Sequence, residues 1–132
     1  MITGFEDKTF KLTPNEQDVI LPILVTALNH MVPGPQNKRS STYMMDRLEK
    51  IGHKVSPVRL RKMIQYIRFN DMVSGVCSDS QGYWIASSKE DYIATLTSLR
   101  DRISHQTATF NALKRQYIKT YGVPKDKNKK LI

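Results

Sequence analysis

Six basic side chains and no carboxylate fall between Lys50 and Asn70: Lys50, Lys54, Arg59, Arg61, Lys62 and Arg68. Four of them sit in the stretch VSPVRLRKMIQYIRFN, residues 55 to 70. Cations set side by side without acidic partners suit the binding of a polyanion, because neutralising phosphates releases condensed counterions. The whole chain leans the same way, with a net charge of +9 over 132 residues. Such a balance attracts nucleic acid first and anionic membrane surfaces second.

Other chemistries find little to stand on. The carboxylates are scattered, and no glycine-rich phosphate loop or metal-ligand spacing appears. Asp71 and Asp79 flank one strand of an expected hairpin, which is turn chemistry rather than metal binding. The lone Cys77 excludes an internal disulfide, and between Val76 and Ser78 it reads as a small buried hydrophobe. His53 reads as a polar turn residue. The chain is therefore expected to be non-enzymatic and to need no cofactor or metal. The longest apolar run, VILPILV at 19 to 25, is too short to cross a bilayer. The start, MITGFEDKTF, lacks a basic end followed by an apolar block. No membrane partner and a cytoplasmic location are expected.

The elements that would position the basic residues follow from periodicity and capping. The first ten residues read as irregular, with a short strand near Phe10 to Leu12. Helix one covers TPNEQDVILPILVTALNH, where Thr13 and Glu16 form a capping box and Pro14 fits the first turn. Val19, Ile20, Ile23, Leu24, Ala27 and Leu28 make its apolar stripe, and Pro22 threatens a kink. VPGPQNKRSS is a loop. Ser40 or Ser41 caps a short helix, STYMMDRLEKI, which buries Tyr43, Met44, Leu48 and Ile51 and stops at Gly52. Ser56 caps helix three, with Pro57 in its first turn, running to about Asn70. MVSGVCSDSQGYWIA then changes period: strand 72 to 77, loop 78 to 82, strand 83 to 86. Ser88 caps a long last helix that stops at Gly122 and Pro124.

Helix three is amphipathic. At about 100° per residue, Leu60, Met63, Ile64 and Ile67 share one side. Val58, Lys62, Gln65 and Phe69 lie opposite, flanked by Arg61, Arg68 and Tyr66. Tyr66 and Phe69 are expected to pack on the hairpin or the last helix, and Tyr83 and Trp84 to be core. A short helix, a tight connection and a polar-faced helix make helix-turn-helix geometry, and the hairpin behind it is the wing. A major groove about 12 Å wide admits one such helix. The predicted fold class is mainly α (α+β), a winged helix-turn-helix with a two-stranded wing and a long C-terminal coiled-coil-like helix. Lys62 and Gln65 are the predicted base-edge contacts, and Arg61 reaches base or phosphate. Arg59 and Arg68 add unpaired charge, and Ser56 meets a phosphate at the helix start. Lys38, Arg39 and Lys54 are candidate backbone clamps. Ser80 and Gln81, at the wing tip, face the minor groove or backbone.

The stretch KVSPVRLRKMIQYIRFNDMVSGVCSDSQGYWIASSKEDYIATLTSLRDRI resembles a group of small phage and prophage winged-helix proteins. Ser56, Tyr66, Ile67, Arg68, Gly82, Tyr83, Trp84, Ile85 and Ala86 carry the likeness, which covers roughly residues 40 to 115. It implies a DNA-binding protein of phage or prophage type, in replication or transcription control.

Tyr92, Leu96, Leu99, Ile103, Gln106, Phe110, Leu113 and Tyr117 recur every four and three residues along the last helix, a heptad seam. The seam can pack on helix one or on a second copy, and the length of the helix favours a homodimer through Leu96, Leu99, Ile103, Gln106, Phe110, Leu113 and Tyr117, with Gln106 fixing register. Lys114, Arg115 and Lys119 read as a solvated face. The expected organisation is a DNA-binding domain over 1–87, a dimerisation helix over 88–121 and a basic tail over 122–132. The alternative is a winged-helix interaction module that recruits a partner, such as replication or transcription machinery, through this helix.

Overall fold

A computed structural model of the protein describes residues 11–123. The short strand expected near Phe10 falls partly outside that range, and Lys11 and Leu12 are irregular. The basic tail lies almost wholly outside it. The described chain is mainly helical, with one small antiparallel sheet and a long last helix.

Thr13 opens the first helical segment as the capping pattern predicts. Its hydroxyl accepts from the Glu16 amide at 3.1 Å, and its own amide donates to Glu16 Oε1 at 2.8 Å. A π-helical turn, Glu16–Ile20, then runs into α1, Leu21–Asn29. Pro22 explains the wide turn. It has no amide to donate, and its ring crowds the carbonyl four residues back. Widening the preceding turn, with the Leu21 amide donating to the Glu16 carbonyl, relieves that crowding without a break. The extra residue also shifts the buried stripe. Glu16, Ile20, Leu21, Leu24 and Leu28 are buried, whereas Val19 and Ala27, expected inside, are exposed.

A loop with a short 3-10 turn, Pro35–Asn37, leads to α2, Ser41–Lys50, capped by the Ser40 hydroxyl on the Tyr43 amide. The helix ends in a Schellman turn. The Gly52 amide donates to Glu49 and the His53 amide to Leu48, with Gly52 at φ 93°. Met44 and Leu48 are buried as predicted, but Tyr43 and Ile51 are exposed at 41% and 56%. A helix this short has one narrow contact line with its neighbours, and these two side chains fall off it.

Ser56 caps α3, Pro57–Phe69, through the Arg59 amide. Leu60, Met63, Ile64 and Ile67 are its inward residues and stand at the centre of the core, each at most 1% exposed. The helix closes on a second Schellman turn, in which Asp71 takes the left-handed conformation at φ 53°.

The hairpin is shorter than its apolar pattern suggests. Strand β1 is Val76–Asp79 and β2 is Gly82–Ile85, joined by Ser80-Gln81 alone. The expected five-residue loop shrinks because Asp79 pairs with Gly82, and the Asp79 carboxylate accepts from the amides of Gln81 and Gly82. The outer edge of β2 is covered, since Arg39 and Tyr83 exchange backbone hydrogen bonds of 2.8 and 2.9 Å. A Cβ at position 82 would lie 2.3 Å from the Arg39 carbonyl oxygen, so only glycine fits there.

The last helix, α4, spans Lys89–Tyr121 and buries no residue. Ser88 and Asp91 cap its start: the Ser88 hydroxyl accepts from the Asp91 amide, and the Asp91 carboxylate accepts from Ser87. The chain divides into compact units within this helix, between Thr95 and Leu96.

Candidate nucleic-acid interface

The candidate surface is the outward front of α3. Arg61 is exposed and makes no ion pair among the described residues. Lys62 and Gln65 are half-exposed on the same side. No carboxylate occurs anywhere along the helix. Lys54 is exposed in the connection before it, and Ser56 uses its hydroxyl oxygen as an acceptor for the cap, so its proton remains available to donate.

Two arginines of the same helix have another job. Arg59 was read from the sequence as an unpaired cation. Its Nε donates to Glu16 Oε2 at 2.8 Å, its Nη2 donates to Glu16 Oε1, and its Nη2 also donates to the Lys11 carbonyl. Arg68, read the same way, donates from Nε and Nη2 to the Val76 carbonyl at 2.9 and 2.7 Å, and from Nη2 to the Ser78 hydroxyl. The first pins α3 to the segment that begins the helical core. The second pins α3 to β1. Both partners are set by the fold, so helix periodicity alone could not find them.

Glu16 is the buried end of the first pair. The hydrogen-bonded Arg59 guanidinium holds its carboxyl below the ordinary value of 4.5, against the opposing pull of burial. Arg59 is held in its charged form in turn. A depressed carboxyl pKa adds stability that is present above the unfolded value and lost as pH falls through the folded one. Glu16→Gln should therefore cost about 2 kcal/mol at neutral pH, within the range for hydrogen bonds to charged groups. The gap between variant and wild type should narrow as the pH falls below the ordinary carboxyl value of 4.5. Urea unfolding of both proteins at pH 7 and pH 3 checks it; an equal gap at the two values refutes the assignment.

The loop and hairpin residues also sort themselves. Lys38 Nζ lies 2.6 Å from Asp79 Oδ2, reaches Gln81 Oε1 at 3.5 Å, and sits 4.8 Å from the centre of the Trp84 ring. It braces the hairpin, which differs from the free backbone clamp expected of it. Asp79 is correspondingly shifted down, chiefly by its hydrogen bond from Lys38. Arg39 is engaged through its backbone, while its guanidinium lies 4.7 Å over the Tyr43 ring. Ser80 and Gln81 form the exposed tip. Tyr83 and Trp84 are core, as expected, and so is Cys77.

Phe69 is the main surprise. The expectation was packing on the hairpin or the last helix, and the ring is 75% exposed. Tyr66 behaves differently: it is half-buried against the core, and its hydroxyl accepts from Gln17. Val58 is exposed at 47%. Val58 and Phe69 both lie on the outward side of α3, where periodicity places them, and periodicity alone assigns them no ligand.

No group of three or more candidate metal ligands occurs among the described residues. None of their helices is long and apolar enough to cross a membrane. No family model, curated protein or solved structure matches the chain.

Proposed function

We propose that the chain is a non-enzymatic double-stranded DNA-binding protein of winged helix-turn-helix type. It works as a homodimer in phage- or prophage-type replication or transcription control, in the cytoplasm of a bacterial or infected host cell. The observation that carries this reading is the front of α3. Arg61, Lys62 and Gln65 stand opposite a fully buried face, on a helix without carboxylates. A helix with that division suits a major groove, where its polar side meets base edges and phosphates. The Schellman turn at Gly52 holds α2 close before α3, as helix-turn-helix geometry requires. The hairpin behind α3, anchored to it by Arg68 and edged by Arg39, is the counterpart of a wing.

Selection of duplexes from a random pool, followed by fluorescence anisotropy at low and high salt, tests the proposal. Affinity should fall steeply as salt rises, with a slope set by the number of phosphates neutralised. A selected site with two-fold symmetry is expected from a dimer. An affinity indifferent to salt would refute the electrostatic contact.

The second reading is an interaction module. It is favoured by the apolar stripe on α4, where Leu96, Ile103 and Leu113 are each at least 60% exposed. Absence of any duplex binding by the intact chain would favour that reading over the first.

A further inference from the structure

On the α3 wheel, Leu60, Met63, Ile64 and Ile67 centre the buried face. The directions most opposed to it belong to Val58 and Phe69, with Lys62 and Gln65 on either side of that line. The most outward side chains of the helix are thus apolar. Phe69 leaves three quarters of its surface in water, and Val58 nearly half. Exposing a phenyl ring forgoes the roughly 1.5–3 kcal/mol that burial of such a side chain contributes. On a face otherwise made of cations and an amide, this placement calls for an apolar feature on the ligand.

A major groove offers one. Every base edge there carries hydrogen-bond donors or acceptors, and among the four bases only thymine adds a methyl group. An apolar side chain pressed on a guanine, adenine or cytosine edge buries polar atoms without partners. Pressed on a thymine methyl, it removes apolar surface from water. Val58 and Phe69 are eleven residues apart, about 16 Å along the helix axis, so on a helix lying along the groove they meet different base pairs. Gln65 stands between them, and a glutamine amide matches adenine N6 and N7.

We infer that α3 selects duplexes carrying thymine at two separate positions, through contact of Val58 and Phe69 with the thymine 5-methyl groups. The inference rests on the DNA-binding reading above. Charge complementarity brings the helix to the duplex, and the apolar pair then chooses the sequence.

The test uses the duplexes recovered from the random pool. Each thymine is replaced singly by deoxyuridine, which removes the methyl and keeps every hydrogen-bonding group. Wild-type affinity should fall roughly fourfold at each of two positions, the value of one buried methyl. Phe69→Ala should erase the penalty at one position and leave the other, and Val58→Ala should do the reverse. Both side chains are exposed, so thermal denaturation should show wild-type stability. Selected duplexes that share no two thymine positions overturn the inference. So does a wild-type protein blind to deoxyuridine, or a penalty that survives in both variants. Failure to enrich any duplex overturns the DNA-binding reading together with this one.

Discussion

Arg61→Glu combined with Lys62→Glu should weaken duplex binding by about a hundredfold or more, while the folded protein keeps its melting temperature. One charged contact to a phosphate or base is worth roughly 1–3 kcal/mol, and two are reversed here. Reversal adds repulsion to the lost contacts. Each cation removed should also lower the slope of log affinity against log salt by about one. The core should survive the change, because neither side chain lies on the buried face of the helix. Arg59→Gln and Arg68→Gln provide the contrast. These arginines sit on the same helix but are committed to Glu16 and to β1. Their loss should lower the melting temperature, and duplex affinity should change far less than in the double reversal. Anisotropy and thermal denaturation of the three proteins separate the outcomes. If Arg59 and Arg61 variants lose affinity alike, the division of the helix into a structural and a binding set is wrong.

That division marks where sequence reasoning stops. Local signals were legible because their partners lie within four residues. Thr13 with Glu16, Ser40, Ser56 and Ser88 each close the helix start that their spacing announces. The buried side of α3 was legible too, since period 3.6 orders its four core residues. The partners of Arg59 and Lys38 lie 43 and 41 residues away, and nothing in a helical pattern encodes them. The covering of the outer β2 edge depends on Arg39 meeting Tyr83, which is equally remote. The π turn before Pro22 moved one apolar stripe by a residue, a change that an ideal helical wheel does not contain. Phe69 failed for a different reason. Its direction was read correctly, but direction does not say whether another element will cover it.

Leu99→Glu with Leu113→Glu should convert a dimer to a monomer and, with it, reduce duplex affinity by about two orders of magnitude. Six large apolar side chains, Leu96, Leu99, Ile103, Phe110, Leu113 and Tyr117, are 37% to 65% exposed along α4. Covering half of each gives about 1 kcal/mol per side chain, so two copies gain on the order of 10 kcal/mol. Association itself costs about 4–15 kcal/mol. The balance allows a dimer of moderate, concentration-dependent affinity. Charge is compatible with a parallel pairing. The positions flanking the seam carry Arg100, Arg102 and Lys114 and no acidic residue. In a parallel pairing, flanking residues meet five positions apart. Arg100 then faces Thr95, Arg102 faces Thr107, and Lys114 faces Thr109, so no two cations collide. Salt should accordingly leave the dimer intact while it weakens DNA binding. Two linked DNA-reading helices raise apparent affinity by about 10²–10⁴ over one. Introducing glutamate at two seam layers forces four carboxylates into the interface, a cost that the small net balance does not offset. Sedimentation equilibrium should show the mass halved, and anisotropy should show the avidity gone, while the core around Leu60 and Ile67 is untouched. A variant that remains dimeric, or a wild type that is monomeric at micromolar concentration, would assign the seam to another partner.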